Sequence, residues 1–110
     1  MQFIFFVCSD KSAEKYDPAG DNIDEWVNEF DGSGARKMGD AFDKPETFRV
    51  VKVHGGAQTV SEGPFQTTEE RILGFDVIEC KDMDEAITIA AKHPMAKYGQ
   101  IEIRPFAIFD

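Results

Sequence analysis

Four titratable side chains stand where they could move protons or hold an anion: Glu62, Asp76, His93 and Arg104. Glu62 leads the stretch Glu62-Gly63-Pro64-Phe65. There Gly63 admits unusual dihedrals, Pro64 fixes φ, and Phe65 supplies a ring to plug a core edge. Such a stiff turn is a structural corner, or it holds the Glu62 carboxylate and free backbone N–H groups at a pocket mouth, with Gly63, Pro64 and Phe65 against the substrate. The two readings are compatible, because a placed acid needs a rigid turn. Asp76 lies inside Gly-Phe-Asp-Val-Ile, where a carboxylate among apolar neighbours is costly unless paired or protonated. If buried, its pKa should rise, and such groups concentrate at active sites. At a sheet edge it would instead face solvent or pair with Arg104. His93 precedes Pro94 at a helix end, where the dipole favours its protonated form. It is either a general acid or a helix cap. Arg104 follows Glu102 at i, i+2 on one strand face, and either clamps a substrate carboxylate or closes a cross-strand ion pair.

Other chemistries find no support in the residues. His54 sits at a hairpin tip and reads as surface. Two isolated histidines do not make a metal site, and neither Cys8 nor Cys80 has a Cys or His at ligand spacing. The acids Asp82, Asp84 and Glu85 read as a solvated helix start. A phosphate-binding glycine loop and a nucleophile elbow are both missing, so no cofactor and no metal are expected. The formal net charge is −9 and Lys and Arg do not cluster, which argues against nucleic acid and against anionic membranes as partners. The apolar start MQFIFFVC lacks a basic region before it and a small-residue cleavage site after it, and no run approaches a membrane span. Two reduced thiols then suggest a cytoplasmic protein.

The elements that must position these groups follow from periodicity. The chain has 110 residues, enough for one domain over 1–110 with one modest core. Phe3 to Cys8 is a continuous apolar run, read as a central strand covered on both faces. Ile23, Trp26, Val27 and Phe30 fall on one helical stripe behind Asp21 or Asn22 as N-cap, and Gly32 and Gly34 stop that helix. Arg36 to Phe42 reads as a short strand. Thr47–His54 and Ala57–Ser61 flank Gly55-Gly56, a hairpin signal. Ile72 to Cys80 is a strand. Asp82 and Glu85 have capping-box spacing, and Met83, Ala86, Ile87, Ala90 and Ala91 form the apolar face of a second helix that Pro94 ends. Gly99 to Ile103 is the last strand.

The order β-α-β-β-β-β-α-β predicts an α+β protein. Two helices with one apolar stripe each cover one face of an antiparallel sheet, as in an elaborated ferredoxin-like sandwich. The other apolar face then needs a cover, and the expected cover is a second copy in a homodimer closed by two-fold contact between sheets.

At this point the motifs resemble a family. EGPFQTTEERILGF followed by DMDEAITIAAKHPMAKYGQIEIRPF is similar to the YCII-related domain family, in its DGPF branch. The likeness rests on Gly63-Pro64-Phe65, Glu70, Gly74-Phe75, Asp84-Glu85-Ala86, Pro94, and the ending Gly99-x-Ile101-Glu102-x-Arg104-Pro105. It covers nearly the whole chain, weakly before Ser61 and strongly after. The chain departs from the branch at Glu62, where Asp is usual, at Thr67 and Glu69, where Glu and Lys are common, and at Leu73 in place of a glycine. Some relatives carry a His–Asp pair proposed as catalytic. No matching histidine stands in the first helix here, so that pair is not carried over. The resemblance implies a ferredoxin-like dimeric α+β barrel with a pocket between sheet and loops. Some relatives are linked to small-molecule degradation by elimination or dehalogenation, and others to alternative sigma factors.

Two expectations of function result. One is a small-molecule lyase or isomerase with a pocket near the Gly-Pro-Phe loop. Glu62 would be base or acid, Asp76 or His93 its partner, and Arg104 the carboxylate anchor. The other is a non-catalytic ligand-binding or regulatory module, toward which Thr67 and Glu69 tilt.

Overall fold

A computed structural model of the chain describes residues 1–109. Its elements are β1 (Gln2–Cys8), α1 (Ile23–Gly32), β2 (Arg36–Ala41), β3 (Arg49–His54), β4 (Ala57–Glu62), β5 (Ile72–Glu79), α2 (Met83–Ala91), α3 (Met95–Tyr98) and β6 (Gln100–Pro105). Four strands form an antiparallel sheet in the order β2-β5-β1-β6. The helices pack on one of its faces, which makes the protein an α+β, ferredoxin-like fold. The β3–β4 hairpin is a separate two-stranded ribbon.

The apolar run at the N-terminus occupies an inner position because both its faces avoid water. Phe3 and Phe5 point toward the helices and are fully buried, together with Ile78 from β5. Trp26 and Phe30 from the α1 stripe, and Ala86, Ile89 and Ala90 from α2, complete the core. Burying each large apolar side chain contributes roughly 1.5–3 kcal/mol. The opposite face carries Ile4, Phe6, Phe75 and Val77, paired across β1 and β5 and only half-buried.

Local signals explain most boundaries. Asp82 caps α2 by accepting from the Glu85 N–H at 2.9 Å. Gly55 and Gly56 take φ of 61° and 78°, the two left-handed positions of a type I′ hairpin turn. Pro45–Thr47 form a 3₁₀ turn, so β3 starts at Arg49 and not at Thr47.

Two expectations about the second helix are corrected. Its apolar face is Ala86, Ile89 and Ala90, whereas Ile87 is 51% exposed. The two stripes share Ala86 and Ala90 and differ in which isoleucine joins them, Ile87 or Ile89, two residues and about 200° of rotation apart. Contact with α1 decides between them: the Trp26 indole donates to the Ile89 carbonyl at 3.0 Å. Pro94 does not simply end the helix. It starts α3, held by the Lys97 and Tyr98 N–H groups donating to the Pro94 carbonyl. His93 therefore sits in a joint between two helices. Among the described residues, no helix is long and apolar enough to cross a membrane.

Candidate functional site

The sheet has two faces, and each carries a cavity. On the helix side, β5 alternates inward at Gly74, Asp76 and Ile78, so its pleat alone turns Asp76 under the helices. Asp76 is 5% exposed. Neighbouring β2 supplies its partner: Arg36 Nε donates to Asp76 Oδ1 at 2.8 Å. The other guanidinium nitrogens are also engaged. Nη1 donates to Asp31 at 3.0 Å and Nη2 to the Gly39 carbonyl at 3.1 Å. Gly39 makes room for this arrangement, since a Cβ there would lie 2.1 Å from Asp76 Oδ1. With all three nitrogens occupied, Arg36 is a fixed counter-charge that orients Asp76.

His93 approaches from the α2–α3 joint and is also 5% exposed. The Met95 N–H donates to its Nδ1 at 2.9 Å. That bond makes Nδ1 an acceptor and assigns the proton of the neutral ring to Nε2. Nε2 lies 3.9 Å from Asp76 Oδ2, beyond hydrogen-bond range. The Trp26 ring stands edge-on to the imidazole, with centroids 4.6 Å apart.

Electrostatics follow the burial. Desolvation pushes the His93 pKa down to about 4; Asp21 pulls it up and Arg36 presses it further down. The helix-dipole expectation of a protonated His93 is thus reversed, because loss of water outweighs a partial charge. Desolvation raises the Asp76 carboxyl, and the Arg36 bond opposes that rise without cancelling it. Burial works against the Arg36 charge, but Asp76 and Asp31 together keep its pKa raised. Among the described residues, no fully buried side-chain N or O atom lacks a hydrogen-bond partner. His93 Nε2 and Asp76 Oδ2 have no such partner, so both atoms open into the adjoining cleft of about 330 Å³. Val7, Ile23, Val27 and Met95 supply its apolar wall.

The opposite face holds a larger cavity of about 570 Å³. Phe6, Phe42, Phe48, Pro64, Phe65 and Leu73 line it, with Lys44, Arg49, Glu70 and Arg71 among its polar groups. Phe42 stacks on Phe75 at 5.7 Å and meets Phe48 edge-on at 6.5 Å. Gly63 takes φ of 89°, the left-handed conformation that a turn before Pro64 exploits. Phe65 does not plug the core; it is 82% exposed at the cavity rim.

The residues singled out by sequence are thus split between the faces. Asp76 and His93 come together on the helix side. Gly63, Pro64 and Phe65 lie on the other. Glu62 ends β4 with its side chain 80% exposed, 3.8 Å from Arg49, and lines neither cavity. Arg104 is exposed on the non-helix face, bound to Glu102 within its own strand and stacked 4.9 Å over the Phe6 ring. The partner of Asp76 is Arg36 and not Arg104. Sequence reading missed Arg36 and Gly39. The available signal was a glycine inside a short strand, which marks a close approach. Among the described residues, no group of three His, Cys, Asp or Glu side chains is placed to hold a metal ion.

Comparison with known proteins gives the affiliation. An uncharacterised protein of Rhizobium meliloti strain 1021 is 37% identical over 68 residues, a match spanning 59% of this chain and 55% of that protein. The YCII-related domain matches residues 1–110, the full length of the sequence. The chain belongs to the YCII-related domain family.

Proposed function

We propose that the protein is a small-molecule enzyme that transfers a proton in the helix-side cleft, as a lyase or isomerase. One observation carries this reading: two buried titratable groups, Asp76 and His93, each leave one polar atom unpartnered and open to the same cleft. Asp76 Oδ2 accepts the proton from a substrate carbon or hydroxyl. Its raised pKa brings it nearer to working pH, which makes it a stronger base than an ordinary carboxylate. Neutral His93 donates Nε2–H to the substrate oxygen on which charge develops, and Arg36 keeps Asp76 in place. The apolar wall excludes water and strengthens these interactions. Glu62 and Arg104 have no part in this reading. A cytoplasmic location belongs to it and rests on the two unpaired thiols, Cys8 and Cys80.

The test is a thermal-shift screen against small carboxylates, lactones and halogenated aromatics, followed by turnover assays on the hits. A binder of the folded state raises the melting temperature. Trp26 is the sole tryptophan and touches His93, so its emission reports on the cleft. A hit should change Trp26 emission and be converted, and Asp76→Asn should lower kcat by about 10²–10⁴-fold. Full turnover in Asp76→Asn would end the proposal.

A second reading, a non-catalytic ligand-binding module, is favoured by the larger cavity. It is aromatic, lies beneath the Gly-Pro-Phe loop, and holds no buried titratable group. Hits whose shifts vanish in Phe65→Ala but persist in Asp76→Asn and His93→Gln support it.

A further inference from the structure

The helix-side cleft offers a ligand one hydrogen-bond donor and one acceptor. The donor is His93 Nε2–H, because the Met95 N–H holds Nδ1 as an acceptor. The acceptor is Asp76 Oδ2, since Oδ1 takes the Arg36 Nε bond. The two atoms lie 3.9 Å apart, too far to bond each other. Both side chains are buried, so a ligand that matches both atoms relieves two unpaired polar groups at once.

Charge decides what kind of ligand that is. Among the described residues lining the cleft, Asp40 and Asp76 stand against one cation, Arg36. Asp76 holds that guanidinium through Nε and Asp31 holds it through Nη1, with Nη2 on the Gly39 carbonyl. Two carboxylates thus match its charge. An entering anion would meet Asp76 and Asp40 with no counter-charge of its own, where loss of water strengthens the repulsion. An ammonium fails at the other atom: it suits Asp76 Oδ2 but turns its hydrogens toward the His93 N–H. A neutral group with an acceptor and a hydrogen side by side fits both. Carbonyl compounds have that arrangement. Standard bond lengths and a trigonal angle put the oxygen and the atom beside the carbonyl carbon roughly 2.4 Å apart. A donor and an acceptor separated by 3.9 Å can reach the two together. The volume, about 330 Å³, is near the lower end of ligand pockets, roughly 300–1,000 Å³, and suits a single ring.

We propose that the helix-side cleft takes a small, uncharged cyclic carbonyl compound and turns carboxylates away, with the carbonyl oxygen on His93 Nε2–H and the neighbouring C–H or N–H on Asp76 Oδ2. This names the substrate class of the proton-transfer site and rests on that reading. With a ketone, Asp76 Oδ2 takes the α-proton. The C–H electron pair forms the C=C bond of an enolate, and the carbonyl pair moves onto the oxygen held by His93. Asp76 exchanges its proton with solvent and returns one to carbon. A lactam presents an N–H in the same place and stays bound without reacting.

Three single-ring probes test the proposal: δ-valerolactam, cyclohexanone and cyclohexanecarboxylate, each titrated against Trp26 emission, which contact with His93 couples to the cleft. The lactam should bind about tenfold or more tighter than the carboxylate. Asp76→Asn and His93→Gln should each weaken lactam binding about tenfold. Asp40→Lys puts a cation at an exposed position of the cleft lining and should raise carboxylate affinity about tenfold. That variant leaves the buried pair alone, so it reads the proposal even where Asp76→Asn unfolds. In deuterium oxide, the cyclohexanone α-protons should exchange faster with wild type than in buffer, and at the buffer rate with Asp76→Asn. Carboxylate binding as tight as the lactam's overturns the proposal. So does lactam binding that neither buried variant weakens, or no Trp26 response to the lactam at high millimolar concentration. The proton-transfer reading fails separately. Binding in the expected order without deuterium uptake ends it and leaves the ligand class standing. Deuterium uptake confined to an oxo-substituted cyclohexanecarboxylate overturns the class and keeps proton transfer.

Discussion

The helix-side cleft and the Gly-Pro-Phe cavity lie back to back across one sheet and differ in what their walls can do. The cleft is the smaller, about 330 Å³ against 570 Å³, yet it holds the buried acid, its counter-charge and a neutral histidine. The larger cavity is built of phenylalanines, with its charges at a wet margin. Size therefore ranks the two in the opposite order from chemistry. Apolar volume binds; reactivity needs titratable groups taken out of water, where their pKa values move and their interactions strengthen. β5 serves both sides by simple alternation, with Asp76 pointing one way and Phe75 and Leu73 the other.

The contrast is broken most severely at Asp76. Asp76→Ala leaves Arg36, whose side chain is 15% exposed, without its main partner. Stability measured by urea unfolding should fall by about 3–5 kcal/mol. A small loss would mean that Asp76 is not a member of a buried pair. Gly39→Ala acts next, by crowding. Its Cβ would meet Asp76 Oδ1 at 2.1 Å and the Phe75 carbonyl at 2.6 Å, and backbone does not yield easily. A loss of about 1–3 kcal/mol is expected, with any turnover reduced because Asp76 is displaced.

Acid sharpens the comparison through the buried histidine of the cleft. The pKa of His93 is about 4 folded against 6.5 ordinarily, so between those values the unfolded chain binds a proton that the folded chain refuses. Stability then falls as pH drops from 6.5 to 4, by on the order of 2–3 kcal/mol from this group. The raised Asp76 acts with the opposite sign and offsets part of it. The difference between wild type and His93→Gln isolates the histidine, and a flat difference over that window would show an exposed, ordinary imidazole. In the Gly-Pro-Phe loop and at the end of β4 beside it the effects on stability should be smallest. Phe65→Ala removes a ring that is 82% exposed, and Glu62→Gln neutralises a side chain that is 80% exposed. Each should change unfolding free energy by less than about 0.5 kcal/mol. A larger loss from Phe65→Ala at high protein concentration, absent on dilution, would point to a copy packed against the loop.

Much of this protein is determined by sequence alone. The run Phe3–Cys8 names an inner strand because six apolar residues in a row leave no face for water. The Ile23–Phe30 stripe, the Asp82 cap and the Gly55-Gly56 turn each act within a few residues, so local geometry suffices to read them. Asp76 also announced itself as a carboxylate among apolar neighbours whose pKa burial would raise. Its partner did not, because Arg36 lies forty residues away and reaches it through the pairing of β2 with β5. Nor did the state of His93. The local dipole argued for a charge, and only packing against Trp26 and the sheet removed the water that the charge required. The Gly-Pro-Phe turn is legible as rigid, but which sheet face it serves depends on the pleat of the strand it precedes. Tertiary structure decided what lay across the sheet, because side-chain alternation assigns faces only once strands are paired.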